Sequence, residues 1–219
     1  MGVYIVWNVQ MSAYCIQKCV LYKINIEIPT GFMYNDRVVV FATTQGHSRE
    51  AGPSRKEFLI MYTVNSIRNI CLLGHSGSGK SALAESLLYM TGAIVRMGKN
   101  ADGNTVSDFD PEETKRHISI STSVLPVEYK NIKINVLDTP GAFDFSGAVM
   151  EALRAADAAI LVLSAKDGIT VGFEKAWKYC EERNMPRFVY ISKVDEDNSD
   201  YNATFEALRE KYGNKIAPL

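Results

Sequence analysis

Between residues 67 and 90 the chain changes its hydrophobic period once, and that change marks the junction of two elements. Ile67, Ile70, Leu72 and Leu73 crowd a short apolar run that reads as a buried strand, whereas Leu83, Leu87 and Met90 recur at helical spacing. Ile132, Ile134 and Val136 then alternate with Lys133 and Asn135, predicting a half-exposed strand that ends on Asp138. Ala158 to Leu163 is apolar throughout and reads as a central strand. Phe173, Ala176, Trp177 and Cys180 stand at i, i+3, i+4 and i+7, which predicts a helix over 171–183 with its apolar stripe, Trp177 included, turned into the core. Phe188 to Ile191 gives another short strand, and Tyr201, Phe205, Leu208 and Tyr212 stripe a last helix closed by Gly213. Alternating strands and helices predict an α/β fold, a mostly parallel sheet with helices on both faces.

Residues 1–60 break this pattern. Apolar runs at 3–7 and 38–42 are mixed with Asn, Gln, Cys and Tyr, without a sustained helical period or a clean series of strands and turns. The expected boundary therefore lies at residue 61, with 1–60 an unassigned N-terminal extension and 61–219 the folded unit. Two origins fit the extension. Either Met61 is the true start and the upstream text is a leader or a misread gene, or 1–60 is an extra module, near the lower size limit for a self-sufficient core.

At 219 residues and 47% hydrophobic, the chain has material for one α/β core plus that extension. A net charge of −1 argues against nucleic-acid binding through bulk electrostatics, and no sequence-specific nucleic-acid partner is expected. No apolar run reaches the length of a membrane span and the first residues lack a secretory signal, so the expectation is a cytoplasmic protein with no membrane partner. The four cysteines, at 15, 19, 71 and 180, form no Cys-x-x-Cys pair; Cys15 and Cys19 fall at helical spacing but lack the histidines a zinc site needs. His47 carries no signal.

The chemistry sits where the period changes. Gly74-His75-Ser76-Gly77-Ser78-Gly79-Lys80-Ser81 fits the phosphate-loop pattern between its strand and its helix. Glycines let successive N–H groups face inward, and the helix start adds positive partial charge where phosphates sit. In such a loop Lys80 reaches the β- and γ-phosphates and the Ser81 hydroxyl binds Mg²⁺. Kinases, ATPases and GTPases all share this loop. Downstream, Asp138-Thr139-Pro140-Gly141 puts an acid at a strand end to hold Mg²⁺ through water, and a glycine whose N–H meets the γ-phosphate. Lys80 and Gly141 are the candidate catalytic residues. Ser192-Lys193-Val194-Asp195 follows the strand at 188–191; Asp195 would accept from the N1–H and amino group of guanine, a donor pair adenine lacks. The Lys193 stem would lie over the base while its ammonium ties back to the phosphate loop.

From about residue 65 onward the chain resembles the GTP-binding domain of elongation factor G, a translational GTPase, and most of all its divergent second-paralogue class. The matching text includes Gly74 to Ser81, Leu88 to Ile94, Val106 to Asp110 with Glu112 and Arg116, Ile118 to Ile120, Asp138 to Gly141 with Asp144-Phe145, and Ser192 to Asp195. The resemblance implies a P-loop NTPase three-layer sandwich with GTP as substrate, Mg²⁺ as cofactor and the ribosome as partner. It places Ser119 where the first switch carries a Mg²⁺-binding threonine, so the metal set is Ser81, Ser119 and Asp138. His75 matches a family histidine and is read as structural. His117 stands at a family glycine and is expected to stiffen the first switch, while the mixed-sign run 112–116 is read as a solvated loop.

Three departures bear on activity. Ala142 replaces the histidine or tyrosine that orients the attacking water, which implies GTP binding with slow turnover, because phosphoryl transfer rests on positioning and electrostatics. Ser192 replaces an asparagine whose amide braces the guanine loop, implying weaker base affinity. The chain also ends before the family's last guanine-contacting loop, implying a domain incomplete at its C-terminus. Two function classes follow: a Mg²⁺-dependent GTP hydrolase coupled in the family to ribosomal translocation, or a GTP-gated binding module with little hydrolysis. A truncated product without a role, and a P-loop ATPase or kinase, are the remaining readings. Ribosomal-protection factors share the domain, and their role is set by other domains.

Overall fold

The computed structural model describes residues 4–7, 38–39, 61–213 and 216–218. Cys15, Cys19, His47 and most of the extension lie outside the described residues. Five strands form the body of the sheet: β4 (Ile67–Leu73), β5 (Ser123–Tyr129), β6 (Ile132–Asp138), β7 (Ala158–Ser164) and β8 (Arg187–Ser192), in the order β5-β6-β4-β7-β8. All neighbours are parallel except β5 and β6. These two form a hairpin whose two-residue turn, Lys130-Asn131, takes positive φ at both positions (47° and 64°), as the strand twist demands of so short a loop.

β5 was not legible in advance. Leu125 and Val127 alternate with exposed Val124 and Pro126, but the proline reads as a strand breaker. Here it is tolerated because β5 is the edge of the sheet and pairs only with β6.

The extension contributes β1 (Tyr4–Trp7) and β2 (Val38–Val39). β1 runs parallel to β8, with Val6 opposite Val189, and carries the last strand, β9 (Ile216–Pro218), on its far side. β2 pairs antiparallel with β3 (Met61–Tyr62).

Helices α1 (Lys80–Met90), α2 (Pro111–Arg116), α3 (Ser146–Ala155), α4 (Val171–Glu182) and α5 (Tyr201–Tyr212) complete the unit. The last two lie where their stripes predicted. Thr170 caps α4 by accepting from the Phe173 amide, and Asp200 caps α5 by accepting from the Ala203 amide. One layer of the core packs Leu83, Ala84, Leu87 and Leu88 of α1 against Ile70, Leu72, Val136 and Val162. The other packs Leu153, Phe173, Trp177, Cys180 and Leu208 against Cys71, Leu73, Leu161 and Ile191. Neighbouring residues of β4 thus enter opposite layers, which explains its unbroken apolar run. Trp177 is a core residue, stacked on Tyr212 at 4.0 Å between centroids.

Leu161, fully buried in the middle strand, sets the cost of a cavity in this core. Leu161→Ala is expected to lower unfolding stability in urea by about 3 kcal/mol. Val95→Ser, at a position 97% exposed, should change it by less than about 0.5 kcal/mol.

Candidate functional site

The parallel strands point their carboxyl ends at one rim, and the loops leaving β4, β6 and β8 meet there. The first loop leaves the sheet at Gly74, where a Cβ would sit 2.4 Å from the Val162 carbonyl oxygen of β7, a separation that only glycine allows. Gly79, in the left-handed region, then starts α1. Lys80 is buried, and its Nζ donates to the carbonyls of His75 (2.9 Å) and Gly74 (3.3 Å). Burial lowers its pKa to about 8, with Asp138 and Asp108 pulling the other way.

Asp138 ends β6 at 1% exposure. Burial raises its pKa to about 6; the neighbouring Ser81 hydroxyl, Lys80 and the Ser107 hydroxyl draw it down, while Asp108 pushes it up. Those hydroxyls approach without completing hydrogen bonds, so both carboxylate oxygens lack a partner among the described residues. Thr139 donates to the Leu72 carbonyl at 2.6 Å and fixes the loop to β4. Gly141 lies so close to the phosphate-pattern loop that a Cβ would meet Lys80 Nζ at 2.5 Å and the Ser76 amide nitrogen at 2.6 Å. Ala142 follows, leading into a short turn, Phe143–Phe145.

Ser81 Oγ lies 3.3 Å from Ser119 Oγ, and Ser119 donates to Asp108 at 2.7 Å. Asp108 also receives Asn100 Nδ2 at 3.1 Å. Two further buried carboxylates hold the same segment. Glu85 of α1 accepts from the amides of Gly98 (2.9 Å) and Val106, and Glu113 of α2 accepts from those of Ile120 (2.8 Å) and Ser121 (2.9 Å). The 112–116 run therefore departs from the solvated loop expected. Its charges divide by helix face, with Glu112 and Arg116 paired in solvent at 3.0 Å and Glu113 turned inward, capping α2 with Asp110. Glu85, Glu113 and the role of Asp108 were missed; the signal available was an acid three residues after Asp110, the spacing of a capping box.

In the β8 loop, Ser192 donates to the Ser78 carbonyl at 2.7 Å, with the Leu163 carbonyl at 3.2 Å. The shorter side chain still braces this loop against the first one. Lys193 takes a positive φ of 55°, and its ammonium faces Glu196 at 3.5 Å rather than tying back to the phosphate-pattern loop, because that carboxylate lies three residues along the same turn. Val194 packs on the core and Asp195 follows it at the surface side of the loop.

A cavity of about 260 Å³ brings together Ser76, Gly77, Gly79, Lys80, Ser81, Ser119, Gly141 and Lys193, with Ala82, Asn100, His117 and Ile118 added to the predicted set. A smaller one of about 110 Å³ takes in Gly74, Thr139, Pro140, Gly141 and Ala142. His75, Ser78, Asp138, Ser192, Val194 and Asp195 line neither. His75 packs its ring 5.8 Å from that of Phe143 and blocks any side chain at Gly172, whose Cβ would lie 2.7 Å from His75 Nδ1. The hydroxyls of Ser81 and Ser119 beside the unpartnered Asp138 carboxylate form an all-oxygen donor set suited to a hard cation such as Mg²⁺. Among the described residues no group of three or more His, Cys, Asp and Glu gathers as a metal site. No helix among them is long and apolar enough to cross a membrane.

The family model for the elongation factor Tu GTP binding domain matches residues 65–217. An elongation factor G-like protein of Mycobacterium tuberculosis is 38% identical over 153 residues, which is 70% of this chain and 21% of that protein. Elongation factor G 2 of Borreliella burgdorferi is 37% identical over 154 residues, 70% of this chain and 23% of its own. A crystal structure of a Thermus thermophilus protein matches with a TM-score of 0.65 and 42% identity, over 68% of this chain and 22% of that one. The chain thus spans about a fifth of the curated relatives' length.

Asp138→Asn tests the cost of the buried carboxylate. Because the folded-state pKa (about 6) lies above the ordinary value of 3.8, the ionised group opposes folding above pH 6, and this penalty vanishes below pH 3.8. The variant is expected to be about 1–2 kcal/mol more stable in chemical denaturation at pH 7.5 without added metal, an advantage that shrinks as the pH falls toward 4.

Proposed function

This chain belongs to the elongation factor Tu GTP binding domain family, and from that premise we propose that it binds GTP together with Mg²⁺ and hydrolyses it slowly. The observation that carries this reading is the buried Asp138 carboxylate, its oxygens without partners, beside the Ser81 and Ser119 hydroxyls and the Lys80 ammonium at the carboxyl rim of the sheet. A buried carboxylate without hydrogen bonds is costly, and a bound cation removes that cost.

In the proposed mechanism the amides from Gly74 to Ser81, with the α1 dipole behind them, cradle the phosphates. Lys80 exchanges its two carbonyl partners for the β- and γ-phosphates, and the Gly141 amide meets the γ-phosphate. Ser81, Ser119 and Asp138 would hold Mg²⁺, which when bound neutralises charge between the β- and γ-phosphates. Thr139 and Pro140 fix Gly141 in place. The Lys193 stem covers the base, Asp195 selects guanine over adenine, and Ser192 keeps their loop in register with the first.

Slow turnover follows from Ala142. Its methyl group neither donates nor accepts, so no side chain there orients the attacking water. The same residue favours the second reading, a GTP-gated binding module in which nucleotide orders the segments around Ser119 and Gly141 and leaves largely intact. Likeness to proteins named as elongation factors supports the ribosome as partner and the cytoplasm as location. We take the nucleotide-binding unit to begin near residue 61.

Titration with fluorescent GTP and ATP analogues in Mg²⁺ tests the site. Selective GTP binding is expected, weakened at least tenfold in Lys80→Ala, with the preference for guanine relaxed in Asp195→Asn. Equal affinity for ATP and GTP in the unaltered chain would refute the guanine assignment. Single-turnover hydrolysis, with and without ribosomes, separates the two readings: Ala142→His is expected to raise the rate about tenfold or more, and rapid cleavage by the unaltered chain on ribosomes would eliminate the gated module.

A further inference from the structure

His117 was expected only to stiffen its loop, yet it opens onto the same cavity as Lys80, Ser81 and Lys193. It ends α2 in the left-handed region (φ 55°, ψ 36°), where a side chain is disfavoured and glycine is the ordinary occupant. Its ring has a fixed polarity. Nδ1 lies 2.7 Å from the Asn100 carbonyl oxygen. A carbonyl only accepts, so Nδ1 donates, and the tautomer this contact selects leaves Nε2 as an acceptor. Among the described residues, the one hydrogen bond of the ring is at Nδ1. Asn100 is itself anchored, donating from its side chain to Asp108, which receives Ser119. The imidazole is thus set at a fixed angle on the rim of the cavity, with a hydrogen-bond acceptor to spare.

We propose that His117 is a nucleotide-contacting residue, its Nε2 accepting a hydrogen bond from an O–H of the bound Mg²⁺–guanine nucleotide. This rests on the GTP-binding reading and adds a contact to it. Phosphate oxygens at neutral pH offer no hydrogen to such a nitrogen. The donors are the ribose hydroxyls and water carried on the metal, and either would meet the same acceptor. The residue acts on affinity and on the choice of sugar, without entering the phosphoryl-transfer step.

The test compares the full chain with His117→Gly and His117→Asn. Glycine relieves the backbone and asparagine tolerates the left-handed region, so both variants are expected to fold, with circular dichroism as the check. Affinities are measured for GTP, 2′-deoxyGTP and 3′-deoxyGTP in Mg²⁺, and for GTP with the metal chelated. Both variants should bind GTP about three- to tenfold more weakly, the worth of one hydrogen bond. If the gap closes for one deoxynucleotide, the ribose is the donor. If it persists for both and closes on chelation, metal-bound water is. In the unaltered protein, the ¹⁵N resonance of Nε2 is expected to shift on adding Mg²⁺–GTP well beyond that of Nδ1, because a new hydrogen bond at one nitrogen acts on that nitrogen most, whereas a general change in surroundings acts on both. Unaltered GTP affinity in both variants together with a silent Nε2 resonance overturns the proposal while leaving the GTP-binding reading intact. Absence of GTP binding in the unaltered chain, judged against Lys80→Ala, refutes that reading and this contact with it.

Discussion

Two opposite charges buried side by side at the end of a parallel sheet govern this structure. Lys80 and Asp138 both lie out of water, and burial pushes each toward its neutral form, one down to about 8 and the other up to about 6. Each also holds the other in the charged state. The loops between them are built to keep this pair in place: Gly74 lets the chain leave β4 against the β7 carbonyl, and Thr139 ties the end of β6 to β4. The two core layers make β4, β6 and β7 rigid, so loops attached to their ends inherit fixed positions.

A second layer of buried charge organises the segment between α1 and β5. Glu85, Asp108 and Glu113 satisfy themselves with backbone amides and short side chains rather than with cations. Their lone pairs are taken up inside the protein by these donors. Asp138 differs in that neither of its oxygens has a completed hydrogen bond among the described residues, and that contrast separates an acid that holds the chain from one suited to hold a ligand.

Much of the fold was legible because its signals are local. β4, β6 and β7 announce themselves by apolar runs, α4 and α5 by stripes at helical spacing, and the rim residues by glycine-rich loops that follow strands. What escaped notice depends on which partner each residue finds in space, even when that partner lies nearby in sequence. Pro126 hides an edge strand whose assignment needs β6 beside it, and the inward turn of Glu113 is decided by the amides of Ile120 and Ser121. Serine in place of the family's asparagine at position 192 suggested a weakened brace, but its hydroxyl reaches the Ser78 carbonyl at 2.7 Å. Lys193 satisfied its charge locally, an option sequence order alone could not rank.

The close approach of Gly141 to Lys80 and Ser76 bears on what this position tolerates. A Cβ there would run into the ammonium and into the Ser76 amide, so the loops leaving β4 and β6 keep their separation only while position 141 carries no side chain. The width of the gap between two loops is written in a single missing carbon atom.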